Sequence, residues 1–149
     1  MKNKGFSLVE LIIVIAIMAI LAAAIAPALI RYIDKSRKAD DLTAGGTINS
    51  AVSAALANED AYDELQTKTN QVIAVVAKDS ISVVGNSALS KEISANLDQK
   101  VAPKYKKESQ SMFVVYVDGK GTITVGAAKS AAAPDSKWWM QPSIGETYK

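Results

Sequence analysis

The first thirty residues, MKNKGFSLVELIIVIAIMAILAAAIAPALI (residues 1–30), decide how the chain is organised. From Leu11 to Ile30 no side chain carries a charge. At about 1.5 Å per residue, a helix of that length covers about 30 Å, the thickness of a bilayer's hydrocarbon core. Glu10 stands immediately before this run. An acid at the margin of a membrane-length apolar segment is expensive unless it is solvated or meets a positive partner. The amides at a helix N-terminus are a mild partner for it, and an amine would be a stronger one.

The overall composition hides this asymmetry. The 149 residues are 49% hydrophobic, an ordinary value for a globular chain, but the apolar side chains crowd the N-terminus. Beyond about Arg31 the sequence is rich in Ala, Ser, Thr, Lys and Asp, with room for one small domain of modest stability. Cysteine and histidine are absent, which excludes disulfides, thiolate or imidazole metal sites and every nucleophile–base pair built on them. No catalytic residue, metal site or cofactor is expected. The net charge of +2 implies nothing about partners, since Lys2 and Lys4 carry it.

One reading of the N-terminus is an ordinary secretory signal, with basic Lys2 and Lys4, an apolar run and a small-residue cleavage site at Ala24-Ile25-Ala26 or Ala26-Pro27-Ala28. Two features oppose it. Glu10 falls where the apolar core of such a signal begins, and helical periodicity continues past the cleavage site. Ile30, Ile33, Gly45, Ile48, Val52 and Leu56 recur at helical intervals, with Arg31, Asp34, Lys35, Lys38 and Asp41 distributed around them. This pattern predicts one long helix, lipid-competent in its first half and amphipathic in its second. Pro27, lacking an amide donor, should bend it.

Lys4-Gly5-Phe6-Ser7-Leu8-Val9-Glu10-Leu11, followed by the uncharged run, resembles the N-terminus of a type IV prepilin. The resemblance is specific over residues 4–30. It implies that a membrane aspartyl protease, the prepilin peptidase, cuts between Gly5 and Phe6 on the cytoplasmic side and that the new amine of Phe6 is methylated. The residues agree with that role: Lys2 and Lys4 hold the leader in the cytoplasm, and Gly5 lets the backbone lie extended in a narrow cleft. Cutting there keeps the apolar segment in the product. The resemblance further implies that Glu10 of an incoming subunit meets the Phe6 amine of one already in a filament. The four-residue spacing also puts both groups on neighbouring turns of one chain. The bland alternative leaves Glu10 in the headgroup layer. Ala16, Ala19, Ala22, Ala23 and Ala24 would let copies of the helix approach closely. Filament members of the family commonly lose helix between a glycine, here replaced by Ala19, and the proline. Alanine favours the helix, so melting from Ala19 to Pro27 is less expected here.

Further along, Gly45-Gly46 should weaken the amphipathic helix, as a joint or as a point of close packing. The helix should end near Asn58-Glu59-Asp60. Val72-Ile73-Ala74-Val75-Val76 fits either a buried strand or a helix face. Leu89, Ile93 and Leu97, spaced by four after Asn86-Ser87, predict a short helix. Met112–Val117 and 122–125 flank Asp118-Gly119-Lys120-Gly121 as a hairpin whose turn is a turn, not a calcium or phosphate loop. Lys104-Tyr105-Lys106-Lys107 reads as a solvated loop, with DNA contact the alternative. Trp138-Trp139 reads as an aromatic pair closing the core, against an exposed adhesive patch.

The expected fold class is α+β: a long N-terminal helix with an apolar first half, carrying a small globular head with an antiparallel sheet. The expected segments are a leader at 1–5, a transmembrane and filament-core helix at 6–30, its amphipathic continuation at 31–58 and the head at 59–149. The function implied is that of a structural subunit, not an enzyme, held in the membrane by lipid and then polymerised with itself into an extracellular pilus by membrane assembly machinery. A pseudopilin of a secretion or DNA-uptake system shares Glu10 and the same architecture. A conventionally secreted binding module would differ in where its mature chain begins. The missing cysteines remove the disulfide loop frequent in Gram-negative pilins and lean toward a Gram-positive source.

Overall fold

The computed structural model describes residues 6–83, 88–97, 100–105 and 108–149. They fall into two compact units, Met1–Ser36 and Arg37–Lys149. Helix α1, Leu8–Ala55, runs through 48 residues and contributes to both.

Within the first unit, every side chain from residue 6 to residue 33 is exposed. In the single chain the helix is continuous from Ala19 through Pro27. The alanines around the proline supply the strongest intrinsic helix preference available. Pro27 removes the bond that its amide would have given to the preceding turn, and its ring crowds the carbonyl there.

The second unit begins a change of character within the same helix. The buried positions Asp41, Gly45, Ile48, Ala51, Val52 and Ala55 recur at three- and four-residue intervals, one helical stripe. Ile48 and Val52 are fully enclosed. Each such side chain contributes about 1.5–3 kcal/mol relative to exposure. Gly45 and Gly46 do not interrupt the helix, and they do different work. A Cβ on Gly45 would lie 2.8 Å from Met140 Sδ and 2.9 Å from Met140 Cβ, so the missing side chain permits close packing. A Cβ on Gly46 would meet nothing within 4 Å.

α1 ends at Ala55, slightly before the expected Asn58, because Asn58 serves the next helix instead. Its side chain accepts from Ala61 N at 3.3 Å and caps α2, Glu59–Gln66, whose first turn carries Glu59 and Asp60.

The ambiguous run at 72–76 is strand. Val72, Ile73, Val75 and Val76 are β-branched and suit a pleated surface better than a helix. Five strands form one antiparallel sheet in the order β2-β1-β3-β4-β5. They are β1 (Gln71–Ala77), β2 (Ile81–Val83), β3 (Met112–Val117), β4 (Ile123–Ala128) and β5 (Trp139–Gln141). A register shift between Val72 and Ala74 marks a bulge in β1. Cross-strand pairing sets the two faces. Val76, Phe113 and Ala127 form one row, and Ala74, Val115 and Val125 a second, on the face that shares the core with Ile48, Val52 and Ala55 of α1. Ser82, Val75, Val114, Gly126 and Trp139 make a row on the opposite face. Helix α3, Ala88–Asn96, adds buried Leu89 and Ile93 to the core, as their spacing predicts. Its expected cap at Asn86-Ser87 lies outside the described residues.

The β3–β4 hairpin forms where the turn chemistry places it. Asp118 accepts from Lys120 N and Thr122 N at 2.8 Å each, and Gly121 supplies a φ of +78°. The amide bonds from Thr122 and then Lys120 hold the Asp118 carboxyl below its ordinary range. This carboxylate is occupied by its own turn. The tryptophan pair divides: Trp138 is buried against Tyr148, with ring centroids 5.9 Å apart, while Trp139 is half-buried and donates to Pro134 O at 3.0 Å.

Candidate functional site

The candidate site begins where α1 begins. Lys2, Lys4 and Gly5 lie outside the described residues; Phe6 is the first described one and is exposed. Ser7 precedes the first helical residue, and its carbonyl accepts from Leu11 N at 3.2 Å. Glu10, three residues on, turns back so that its Oε2 accepts from Ser7 N at 2.9 Å. This is the acidic half of a capping box, which satisfies a backbone donor that the helix leaves unpaired. The carboxylate also sits at the positive end of the helix dipole.

Glu10 therefore has a partner within its own chain, the Ser7 amide. The structure brings Glu10 to Ser7 and gives no Glu10–Phe6 bond among the described residues. In the uncut chain the Phe6 nitrogen is a peptide nitrogen without charge, so it offers no ion pair. The Ser7 contact was open to sequence reasoning, because Ser-x-x-Glu at the start of an apolar run is a helix-start signature. Pro27, the other candidate assembly residue, sits inside the helix among exposed neighbours.

A second cluster carries no such sequence signature. Asp41, expected among the charged positions around the amphipathic helix, is 1% exposed. Its Oδ1 accepts from Lys104 N at 2.7 Å, and its Oδ2 from Tyr105 N at 3.0 Å and from the Tyr148 hydroxyl at 3.3 Å. Burial pushes the carboxyl above its ordinary range, with the three hydrogen bonds opposing and the nearby Asp40 charge reinforcing. Burial, followed by the charge of Asp41, pushes the Tyr148 phenol up as well. Around this network the rings of Tyr105, Trp138 and Tyr148 meet at centroid distances of 5.9–6.4 Å. Lys38 Nζ lies 5.0 Å from the centre of the Tyr105 ring, and Lys104 Nζ pairs with Asp40 at 2.9 Å. Tyr105 and Lys104 are thus engaged within the fold, in the segment where DNA contact was the alternative reading. Lys106 and Lys107 fall outside the described residues.

The N-terminal segment carries a signature of wider occurrence. No solved structure matches the chain. Residues 1–26 match the sequence family described as the prokaryotic N-terminal methylation motif. The motif and the exposed apolar helix together fit a membrane-anchored precursor of structural type, processed by prepilin peptidase. This motif supports a type IV pilin-like prepilin, a precursor of the pilin or pseudopilin kind.

Proposed function

We propose that the chain is the structural subunit of a type IV pilus. In this reading the peptidase cuts between Gly5 and Phe6, the Phe6 amine is methylated, and residues 6–30 remain to hold the subunit in the membrane. Assembly machinery then polymerises the subunits into an extracellular filament serving motility, adhesion or aggregation. The observation that carries it is the unbroken exposure of an apolar helix directly behind a processing motif. Covering each large side chain there is worth about 1.5–3 kcal/mol, and lipid and a bundle of identical helices are the two environments that cover all sides of a single helix.

Glu10 becomes the contact that selects register. Once Phe6 carries a positive amine, the carboxylate has a stronger partner than the Ser7 amide, and pairing with the amine of a neighbouring copy removes two charges from an apolar bundle. Glu10→Ala should leave insertion and cleavage intact and nearly abolish sheared surface fibre. Normal fibre from that variant would overturn the pairing. Electron microscopy of cells lacking this gene tests the wider reading: long surface fibres should vanish. Unchanged fibres with impaired secretion or DNA uptake would make the chain a pseudopilin instead. Intact mass of the membrane form should correspond to a chain beginning at Phe6 with one added methyl group. A start near Ala26 or Ala28 would return it to the conventional secreted class.

A further inference from the structure

Directly after the uncharged run, the exposed helix changes chemistry without gaining a protein partner. Arg31, Tyr32 and Lys35 are all exposed and belong to the first compact unit; Tyr32 is 74% exposed. Among the described residues none of the three side chains makes a hydrogen bond, an ion pair or a ring contact. Arg31 and Lys35 stand four apart, so both stems rise from one helix face, with Tyr32 beside them. Between Glu10 and Asp40 the chain carries Arg31, Lys35, Arg37 and Lys38 against Asp34 alone, so the far end of the membrane-length run is cationic. The near end becomes balanced if residues 1–5 are removed, since Lys2 and Lys4 leave and the Phe6 amine is set against Glu10.

We propose that Arg31, Tyr32 and Lys35 form an anchor for the headgroups of anionic lipid, in the leaflet away from the processing site. This rests on the membrane-anchored reading above and adds to it the class of lipid. The uncharged run matches a hydrocarbon core of about 30 Å, so the turn that follows it falls at the level of the lipid phosphates. There the Arg31 guanidinium can take a phosphate through two parallel N–H···O bonds, and the Lys35 ammonium takes one as a point charge. Their apolar stems stay against the acyl chains while the charged heads reach outward. The Tyr32 ring suits the boundary itself, its body in the acyl region and its hydroxyl toward water. Asp34 offsets one of these charges and forms no ion pair with either cation. Charge decides which lipid is held. A zwitterionic headgroup carries its own cation beside the phosphate, which competes with Arg31 and Lys35; an anionic headgroup does not.

The chain has no cysteine, so one fluorophore attached at Ile33→Cys reports on the lipid beside these side chains. The labelled full chain is placed in phosphatidylcholine vesicles, and its quenching by brominated-chain phosphatidylglycerol is compared with quenching by brominated-chain phosphatidylcholine at equal mole fraction. Phosphatidylglycerol should be enriched about fivefold or more next to the label, and about 0.5 M salt should reduce that enrichment. With Arg31→Gln and Lys35→Gln together, the enrichment should fall about threefold or more. Lys129→Gln, at an exposed lysine of the head, should leave it unchanged. Equal quenching by the two lipids before any charge is removed would overturn the anchor. Enrichment that survives the double substitution would overturn it too, by placing the source in Lys2 and Lys4 or in the head. The same survival combined with loss of surface fibre in cells carrying the double variant would assign both cations to a neighbouring subunit instead. The mature N-terminus and the fibres of the unaltered chain test the pilus reading and do not enter the quenching measurement, so either reading can fail without the other.

Discussion

Helix α1 is written in two different languages. From Leu11 to Ile30 its side chains are apolar on every side and all exposed; from Asp41 to Ala55 they alternate, and one stripe is buried. The first half is specified by composition, since any helix of alanine, isoleucine and leucine without charge suits lipid or a bundle whichever way it is rotated. The second half is specified by periodicity, because only one face meets the sheet. In consequence the first half tolerates substitution among apolar residues but not charge, while the second is sensitive to single atoms at single positions.

That contrast breaks most visibly if the first half is removed. A chain beginning near Arg31 should stay in solution without detergent and keep its head folded, since it loses the exposed apolar run and retains the whole buried stripe. Circular dichroism and gel filtration would check it, and insolubility would mean that the head depends on the apolar half. The next largest effect should come from Asp41→Ala, which leaves the Lys104 and Tyr105 amides without a partner in a closed site. A loss of about 3 kcal/mol is expected in denaturant titration. Lys35→Ala, on the exposed part of the same helix, should stay within about 0.5 kcal/mol of zero.

The two adjacent glycines sharpen the comparison within the buried half. Gly45→Ala should cost about 1–3 kcal/mol, because the added Cβ drives into the Met140 side chain close to its own Cβ. Gly46→Ala should gain up to about 1 kcal/mol, since nothing stands in its way and alanine is the better helix former. Equal effects at the two positions would mean that Met140 yields freely. The smallest effect is the pH dependence contributed by Asp41. Its carboxyl is raised in the folded chain above the ordinary value of 3.8, so the native state holds that proton to higher pH than the unfolded state does. This contribution therefore favours folding at acid pH. It declines as pH rises from the ordinary value through the folded one, and is flat above. Asp118, lowered in the folded state, acts in the opposite sense. The difference in urea midpoint between the unaltered chain and Asp41→Asn isolates the Asp41 part and should shrink with rising pH across that window.

The long helix, the hairpin at Asp118–Gly121 and the short helix on Leu89 and Ile93 were all legible in the sequence, because each rests on a local period or a turn whose chemistry is complete within a few residues. Val72–Val76 was not, since five apolar residues fit either a buried strand or a helix face until the partner strands are known. Asp41 was misjudged for a related reason. An acid beside Asp40 on a polar stretch of helix looks solvated, and the amides that enclose it come from residues more than sixty positions away. The cap made by Ser7 and Glu10 was readable, because its pattern is complete within four residues.

Among the described residues the sheet ends on both sides in strands of three residues, Ile81–Val83 and Trp139–Gln141, and the second is followed at once by Pro142, which has no amide to offer. An exposed edge is an invitation to pair strand against strand, and short or proline-stopped edges withdraw it. Copies of this chain confined to one membrane patch would meet at high local concentration with their heads side by side. The sheet gives such neighbours little to zip onto. In the filament proposed above, crowding that brings the helices together would therefore not become a route to cross-β aggregation of the heads.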